Sequence, residues 1–596
     1  MTGANVEGGC GTGTVAGILF RQIWCVDFEF RADSGERPWP VCMVARDLRS
    51  GRELRLWREE LLALHRAPFD TGLDVLVVAY LASAELGCFL ELGWPLPANV
   101  LDLYVEHRVE TNGLPPSCGN GLVGALASRG LGHIDAGEKE AMRRLVCDQR
   151  HWSDTERHSI LQYCSSDVDG LAALLPRMAP GIDLPRALLR GRYMAAVARM
   201  ERAGVPIDTN IHRRLAESWD SIKGELVAGV DAAFGVYDGM SFKRDRFRDF
   251  LSAHGIPWPT LGSGALALDD DTFRVQTGRW PELHPLYELR ASLSGMRLTG
   301  LQVGADGRNR CLLSPFQAVT GRNQPSNTKF VFGPARWMRG LIRPPEGCGI
   351  AYVDFSSQEI GVAAGLSGDE RMAEGYRDGD PYLSFAKAAN LAPPDATKAS
   401  HKVIRDRCKS VVLGVNYGMG PDAMAAAAGI TPAEAKELLR LHRVTYDRFW
   451  GWIEDTVSKA MITNEIRTVF GWRRRIGREP NGQPPNARSL MNFPMQANGA
   501  EMMRVAAIAA TEAGIEVCAP VHDAFLISAP IGRLDADVVA MREIMSAAGR
   551  AVTGGLDIRT DVEIVRWPDR YMDERGKAMW NRVISLLGGG VQRNAT

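Results

Sequence analysis

The chain has 596 residues, is 45% hydrophobic and 24% charged, and carries a formal net charge of −1. No apolar run reaches the ~18 residues of a membrane span, and eleven scattered cysteines with no C-x-x-C pair exclude a disulfide framework and a zinc ribbon. A cytoplasmic protein of about four structural units is expected, with no global field to attract nucleic acid.

Residues 1–19 begin MTGANVEGGCGTGTVAG and read as a flexible lead-in, lacking the basic start and apolar core of a signal peptide. Residues 20–182 alternate strand-like and helix-like stretches, which predicts an α/β domain. IWCVDFEF (23–30), VCMVARDL (41–48) and DVLVVAY (74–80) read as strands, and 156–178 as a helix. In the first strand a period of two puts Ile23, Cys25, Asp27 and Glu29 on one face and Trp24, Val26, Phe28 and Phe30 on the other. Two acids side by side on a half-buried strand repel, so they are either solvated at an edge or gathered round a cation. Tyr163 and Asp167, four apart, share a helix face. L-A-S-A-E places Glu85 at the end of an apolar strand. Such carboxylates with a tyrosine could hold two divalent ions, Mg²⁺ or Mn²⁺, and orient a water for phosphodiester hydrolysis.

The stretch 177–185, with two prolines and a glycine, reads as a junction. Long helical patterns follow, with strand candidates at 349–355 and 519–528. Asp354 ends the first of these, Glu359 follows five residues later, and His522 and Asp523 lie inside the second. Paired carboxylates of this kind could bridge two Mg²⁺ and position a triphosphate against a 3′-hydroxyl. Between them Arg405, Lys409, Leu413 and Tyr417 recur every four residues and form a slanted helical stripe. Its cations could clamp phosphates and its tyrosine stack on a base; a surface helix with snorkelling cations explains the spacing equally well. The basic clusters 401–409 and 472–478 could track a phosphate backbone.

D-x-E on a first strand, an acid after a later strand and Y-x-x-x-D on a helix resemble the DnaQ-like 3′–5′ proofreading exonucleases over about 20–180. The resemblance implies an RNase H-like α/β fold, with Asp27, Glu29, Glu85 and Asp167 as metal ligands and Tyr163 beside them. Glu85 stands where aspartate is usual and Leu81 where asparagine is usual, while Asp102 and Asp169 rank as lesser candidates.

The segments A-Y-V-D-F-S-S-Q-E-I, R-D-R-C-K-S-V-V-L-G-V-N-Y-G and P-V-H-D-A resemble motifs A, B and C of family A DNA polymerases over roughly 185–570. Supporting them are T-G-R-N (320–323), T-V-F-G-W-R-R-R (468–475), R-S-L-M-N-F-P-M-Q (488–496) and A-R-M-E-R-A-G-V-P-I-D (198–208). The resemblance implies a right-hand α+β domain over 183–596, with the thumb roughly 190–310, the palm around 311–380 and 485–575, and the fingers roughly 381–484. It implies that Asp354 and Asp523 hold two metal ions and that Arg405 and Lys409 hold the triphosphate, with Lys409 as general acid. It places Leu413, Tyr417 and His522 at the nucleotide and makes Glu359 a gate against a 2′-hydroxyl. Arg322, Arg488, Asn492 and Gln496 would contact primer–template through degenerate minor-groove acceptors. Departures are Gln358 one place late in motif A, Leu413 for an aromatic, and Ala524 for a glutamate. That glutamate is an accessory acid, so catalysis is expected to survive.

The expected function is template-directed DNA synthesis from dNTPs with 3′–5′ proofreading. The expected partners are primer–template DNA and replisome proteins, and the expected state is monomeric. With no stretch resembling a 5′-nuclease, the pattern resembles bacteriophage or prophage replicative enzymes. The alternatives are a nuclease with a degenerate polymerase module and a non-catalytic DNA-binding scaffold, which would have lost the acids of both sites.

Overall fold

The computed structural model describes residues 17–115, 118–132, 136–295, 300–333, 335–477 and 486–593. Most of the expected lead-in, residues 1–16, lies outside the described residues, as does Arg478 of the second basic cluster.

The N-terminal unit is built on β1 (Gln22–Arg31), β2 (Trp39–Asp47), β3 (Glu53–Trp57), β4 (Val75–Ala79) and β5 (Val100–Asp102). They form one sheet in the order β3-β2-β1-β4-β5. The pairs β1–β2 and β2–β3 are antiparallel, and β1–β4 and β4–β5 are parallel. The strict alternation in β1 sends Ile23 and Cys25 into one apolar cluster and Trp24, Val26 and Phe28 into another, so both faces of the sheet are covered. The helices that carry site residues are α1 (Ser83–Glu91), α2 (Leu103–Thr111), α3 (Ala136–Asp148) and α4 (Asp154–Met178). A capping box between Ser153 and Glu156 starts α4 and satisfies two orphan amides.

The junction is a single 3₁₀ turn, Ala179–Gly181, followed by α5 (Leu184–Ala203). It separates the units in sequence and not in packing. α5 lies against α1 and β5 on one side and against the second unit on the other. At Gly191 a Cβ would meet the Val100 carbonyl oxygen at 1.9 Å, so only glycine allows this approach.

Helices from Thr209–Glu217 to His284–Gly295 form a mostly helical lobe whose apolar cluster continues onto one face of the central sheet that follows. The central sheet of the second unit contains β6 (Cys348–Phe355), β7 (Glu516–Val521), β8 (Ala524–Pro530) and β9 (Thr560–Arg566), in the order β7-β8-β6-β9 and antiparallel throughout. Ala351, Val353 and Phe355 face the cluster that also holds α6 (Gln358–Ser367) and the long α9 (Phe493–Glu512), whereas Ile350 packs into the other. Between the sheet strands come α7 (Lys402–Asn416) and α8 (Ala487–Met491). Among the described residues no helix is long and apolar enough to cross a membrane, and all the cysteines are free thiols.

Candidate active sites

Asp27, Glu29 and Asp167 each offer a carboxylate oxygen, and the three oxygens lie within 4.8 Å of one another. β1 supplies the first two on one face, and α4 brings Asp167 across them. Burial, then the Asp167 charge, pushes the Asp27 carboxyl up to about 8. Burial, then Asp27, holds Glu29 well above the carboxylate range. Tyr163, one turn before Asp167, is buried, and burial with the Asp167 charge raises its phenol further.

Glu85 differs from expectation. It sits in the first turn of α1, not at a strand end. After β4 the backbone turns at Leu81, which takes φ +65°, and the Asp102 carboxylate fixes the turn by accepting from the Leu81 and Ala82 amides. The same carboxylate caps α2 through Tyr104 and Val105. Asp102 is therefore engaged by four amides. Glu85 is buried, and its Oε2 accepts from the Phe28 amide at 2.7 Å. Burial, then Asp27, raises its carboxyl well above the ordinary range. It borders the group of three acids without joining it. Asp169 is paired with Arg46.

Two residues at this centre have no signal in the sequence. Lys139 of α3 places its ammonium 3.0 Å from Asp167 Oδ2 and 5.8 Å from the Tyr163 ring centre. The Cys164 thiol donates to Asp27 Oδ2 at 3.2 Å. Nothing in the spacing of an ordinary surface helix, or in a lone cysteine, points to a carboxylate distant in the chain.

The second centre lies at one end of the central sheet. Residues 519–528 are not the single strand that their apolar content predicts. Val521 pairs with Ala524, so His522 and Asp523 form a two-residue hairpin turn. His522 takes φ +55°, the positive angle of the first turn position in a II′ hairpin. Apolar residues on both sides hid the turn, which carries no Gly or Asn. Asp354 pairs with Ala524 on one side and with Asp561 on the other, and the Phe355 amide donates to the Asp523 carbonyl at 3.1 Å. The turn thereby brings Asp523 beside Asp354. Burial, then Asp523 and Asp561, pushes the Asp354 carboxyl up to about 7. Asp561 is an acid the motifs did not indicate; it accepts from the Ser356 hydroxyl.

A chain of polar contacts leads from Asp523. Arg322 Nη2 donates to Asp523 Oδ1 at 3.2 Å and lies 3.9 Å from Glu359 Oε1. The Tyr417 hydroxyl donates to the same glutamate oxygen at 3.4 Å, and Gln496 bonds to both Glu359 and Tyr417. Burial raises the Glu359 carboxyl, against the pull of Arg322. Arg322 is held by a tight loop. Gly321 has φ +75°, and a Cβ there would meet Trp472 Nε1 at 3.0 Å.

The stripe on α7 is shorter than its spacing predicts. The helix ends at Asn416, and Tyr417 is its C-cap, exposed by 45%. Arg405 is engaged by Asp380 and Asp406, while the Lys409 ammonium lies 5.7 Å from the Tyr382 ring centre, with no ion pair among the described residues. Leu413 is half-buried against the core. The segment 488–496 divides into α8 and α9 at Asn492, because Pro494 fits only a first turn. Arg488 is exposed on α8, and Gln496 lies on α9. Gln358, the residue out of place in motif A, is buried against Gly499.

The second centre is thus a pair of acids at the end of an antiparallel sheet, faced by an arginine loop and a basic helix. Residues 317–566 match the family model for DNA polymerase family A. The chain is 24% identical over 379 residues to thermostable DNA polymerase I of Thermus aquaticus, an alignment that covers 59% of this chain and 44% of that one. It is 23% identical over 454 residues to DNA polymerase I of Synechocystis, covering 70% and 43%. It therefore spans under half the length of these curated relatives. In fold it is similar to the POL domain of Pol1 from M. smegmatis in complex with DNA primer-template and dNTP, with a TM-score of 0.67, 18% identity, and coverage of 91% of this chain and 95% of that one. Too little of the chain stays outside that alignment to exclude 20–182, so the likeness of fold reaches into the N-terminal unit.

Proposed function

We propose that the protein is a template-directed DNA polymerase that extends a primer 3′ end and removes mismatched ends at its N-terminal centre. The observation that supports this most is the approach of Asp523, in the turn between β7 and β8, to Asp354 on β6, with Arg322 and Glu359 beside them.

Asp354 and Asp523 offer hard oxygen donors that repel while unneutralised, which fits Mg²⁺ or Mn²⁺. Two such ions would neutralise charge developing on the attacking and leaving oxygens. The primer 3′-oxygen attacks the α-phosphorus of the dNTP, the α–β phosphoanhydride bond breaks, and pyrophosphate departs. Lys409 gives a proton to the leaving pyrophosphate. Arg405 binds the triphosphate by exchanging Asp380 for phosphate oxygens. Glu359, held by Tyr417 and Arg322, fills the space a 2′-hydroxyl would need. Arg322, Arg488, Asn492 and Gln496 hold primer and template. His522 keeps the hairpin tip in place. Asp561 stands in the row next to Asp354, where Ala524 has left no acid on the other side.

At the N-terminal centre Asp27, Glu29 and Asp167 suit a divalent cation, and Tyr163 orients a water toward the terminal phosphodiester. The water oxygen bonds to phosphorus, the 3′-oxygen of the penultimate nucleotide leaves, and a nucleoside monophosphate is released.

The test is primer extension with Mg²⁺ and four dNTPs, alongside loss of label from a 3′ mismatch. Wild type should do both. A protein that hydrolyses and never extends is the nuclease with a degenerate polymerase module; one that does neither is a scaffold.

A further inference from the structure

The loop that carries Arg322 to the second centre is held from two sides. Residues 316–322 turn tightly: the Ala318 amide donates to the Arg322 carbonyl at 3.2 Å, and the Gly321 amide to the Ala318 carbonyl at 2.8 Å. Phe316 takes φ +57°, a left-handed angle that a bulky residue keeps only where its surroundings impose it. From the second unit, Trp472 Nε1 donates to the Val319 carbonyl at 2.9 Å and Arg504 Nη1 to the Gly321 carbonyl at 2.8 Å. From the N-terminal unit, Arg108 Nη2 donates to the Gln317 carbonyl at 3.1 Å and the Tyr104 hydroxyl to Gln317 Oε1 at 2.9 Å. Asn112 Nδ2 donates to the Val319 carbonyl at 2.7 Å.

Tyr104 and Arg108 lie on α2, and Asn112 is its C-cap. Asn112 is fully buried and gives its other amide proton to the Arg473 carbonyl at 2.8 Å, so one side chain ties the Arg322 loop to the short strand Arg473–Arg475. The Asn112 carbonyl accepts from the Arg475 amide at 2.7 Å. At Gly113, with φ +90°, a Cβ would meet the Arg475 carbonyl oxygen at 2.3 Å, so the end of α2 lies flush against the second unit. The other end of α2 is fixed by the Asp102 cap on Tyr104 and Val105.

We infer that α2 of the N-terminal unit positions Arg322 for the primer end, with Asn112, Arg108 and Tyr104 fixing the loop from which that arginine reaches Asp523. The three are positioning residues, because they act through Arg322, whose Nη2 donates to Asp523 at 3.2 Å. Without Asn112 the loop loses a bond at Val319 and its tie to Arg473, and the strained turn at Phe316 is free to relax. A misplacement of about 1 Å in such a group costs up to about a hundredfold in rate. The inference rests on the polymerase reading of the second centre; the clamping of the loop does not.

The experiment uses the full chain, well below the melting temperature of every variant, and follows single-turnover addition of one dNTP to a matched primer–template at saturating dNTP and DNA. Asn112→Ala should add about tenfold more slowly than wild type, and Arg322→Ala about a hundredfold. The two together should be no slower than Arg322→Ala alone, because Asn112 acts through that arginine. Hydrolysis of a single-stranded 3′ end by Asn112→Ala should match wild type. Hydrogen exchange of peptides covering 316–322 should speed up in Asn112→Ala, with β6 and β8 unchanged. If Asn112→Ala does not fold, Tyr104→Phe, which removes only the hydroxyl bond to Gln317, carries the same cycle with an effect of about threefold. Addition by the folded variant at the wild-type rate would overturn the inference. So would an equal factor lost with and without Arg322, which marks a general loss of structure. A wild type that extends nothing would remove the polymerase reading and with it the task given to Arg322, and the exchange rates would still decide whether α2 clamps the loop.

Discussion

The two acidic centres are built from opposite materials. At the N-terminal centre two acids sit two residues apart on the middle strand of a sheet covered on both faces, and α4 closes over them. Its charges are partly met by the chain itself, through Lys139, Cys164 and the Phe28 amide. At the second centre Asp523 lies on an exposed hairpin tip at the end of a sheet, with a single arginine as its partner. An interior site is fixed by its own packing. A sheet-end site is open and leaves its carboxylates to incoming cations and phosphates. The difference fits the proposed roles, in which one centre would take a frayed single strand and the other would admit a duplex and a fresh nucleotide.

The units are nonetheless bolted together at the elements that would handle the primer end. Arg190 of α5 makes a bidentate pair with Glu106 of α2 at 2.7 and 2.8 Å, and both are buried. Asn112 donates to the carbonyls of Val319, next to the T-G-R loop, and Arg473. Arg108 reaches the Gln317 carbonyl.

That coupling sets the largest expected effect on stability. Glu106→Ala strands a buried guanidinium and should cost about 3–5 kcal/mol in denaturant unfolding. Two separated transitions in the variant would sharpen the picture of two units; an unchanged curve would break the claim that the pair joins them. Next comes Lys409→Ala, which should lower single-turnover nucleotide addition by about a hundredfold with hydrolysis of a mismatch intact. A smaller effect is expected for Asn112→Ala, which leaves two carbonyls short of a donor and should cost about 1–3 kcal/mol.

The smallest effect separates the centres by pH. A carboxyl held at about 8 in the native state, as for Asp27, keeps its proton longer than in the unfolded chain. Its presence therefore favours the native state least at high pH, and stability in chelator falls as pH rises from the ordinary carboxylate range toward 8. Asp27→Asn removes that slope, so its melting temperature should exceed wild type more at about pH 8 than at about pH 5. Asp523→Asn relieves Asp354 but gives up the Arg322 pairing, so its gain should be smaller. Equal gains would erase the contrast.

Much of this was readable in the residues, and the limits are physical. The faces of β1 follow from alternation alone, and the body of α4 from the helical pattern over 156–178. The motif order marked Asp354 and Asp523 without revealing the turn, because His522 adopts a positive φ that a histidine does not advertise. Glu85 was misplaced because an amide clamp from Asp102 on β5, distant in the chain, turns the backbone into α1. Tyr417 fell off its helix because the i+4 spacing continues one step past the last helical residue. Lys139, Cys164 and Asp561 could not be found at all, since only the fold brings them to their partners.

The most direct measurement presents one mismatched primer–template to Asp27→Ala and to Asp523→Ala under the same Mg²⁺ and dNTP concentrations, and follows both lengthening and shortening of the labelled strand. Asp27→Ala should lengthen it and never shorten it, and Asp523→Ala should shorten it and never lengthen it, each lost activity falling by on the order of a thousandfold or more. If either substitution removed both activities while the melting temperature held, the assignment of two separate centres would be contradicted.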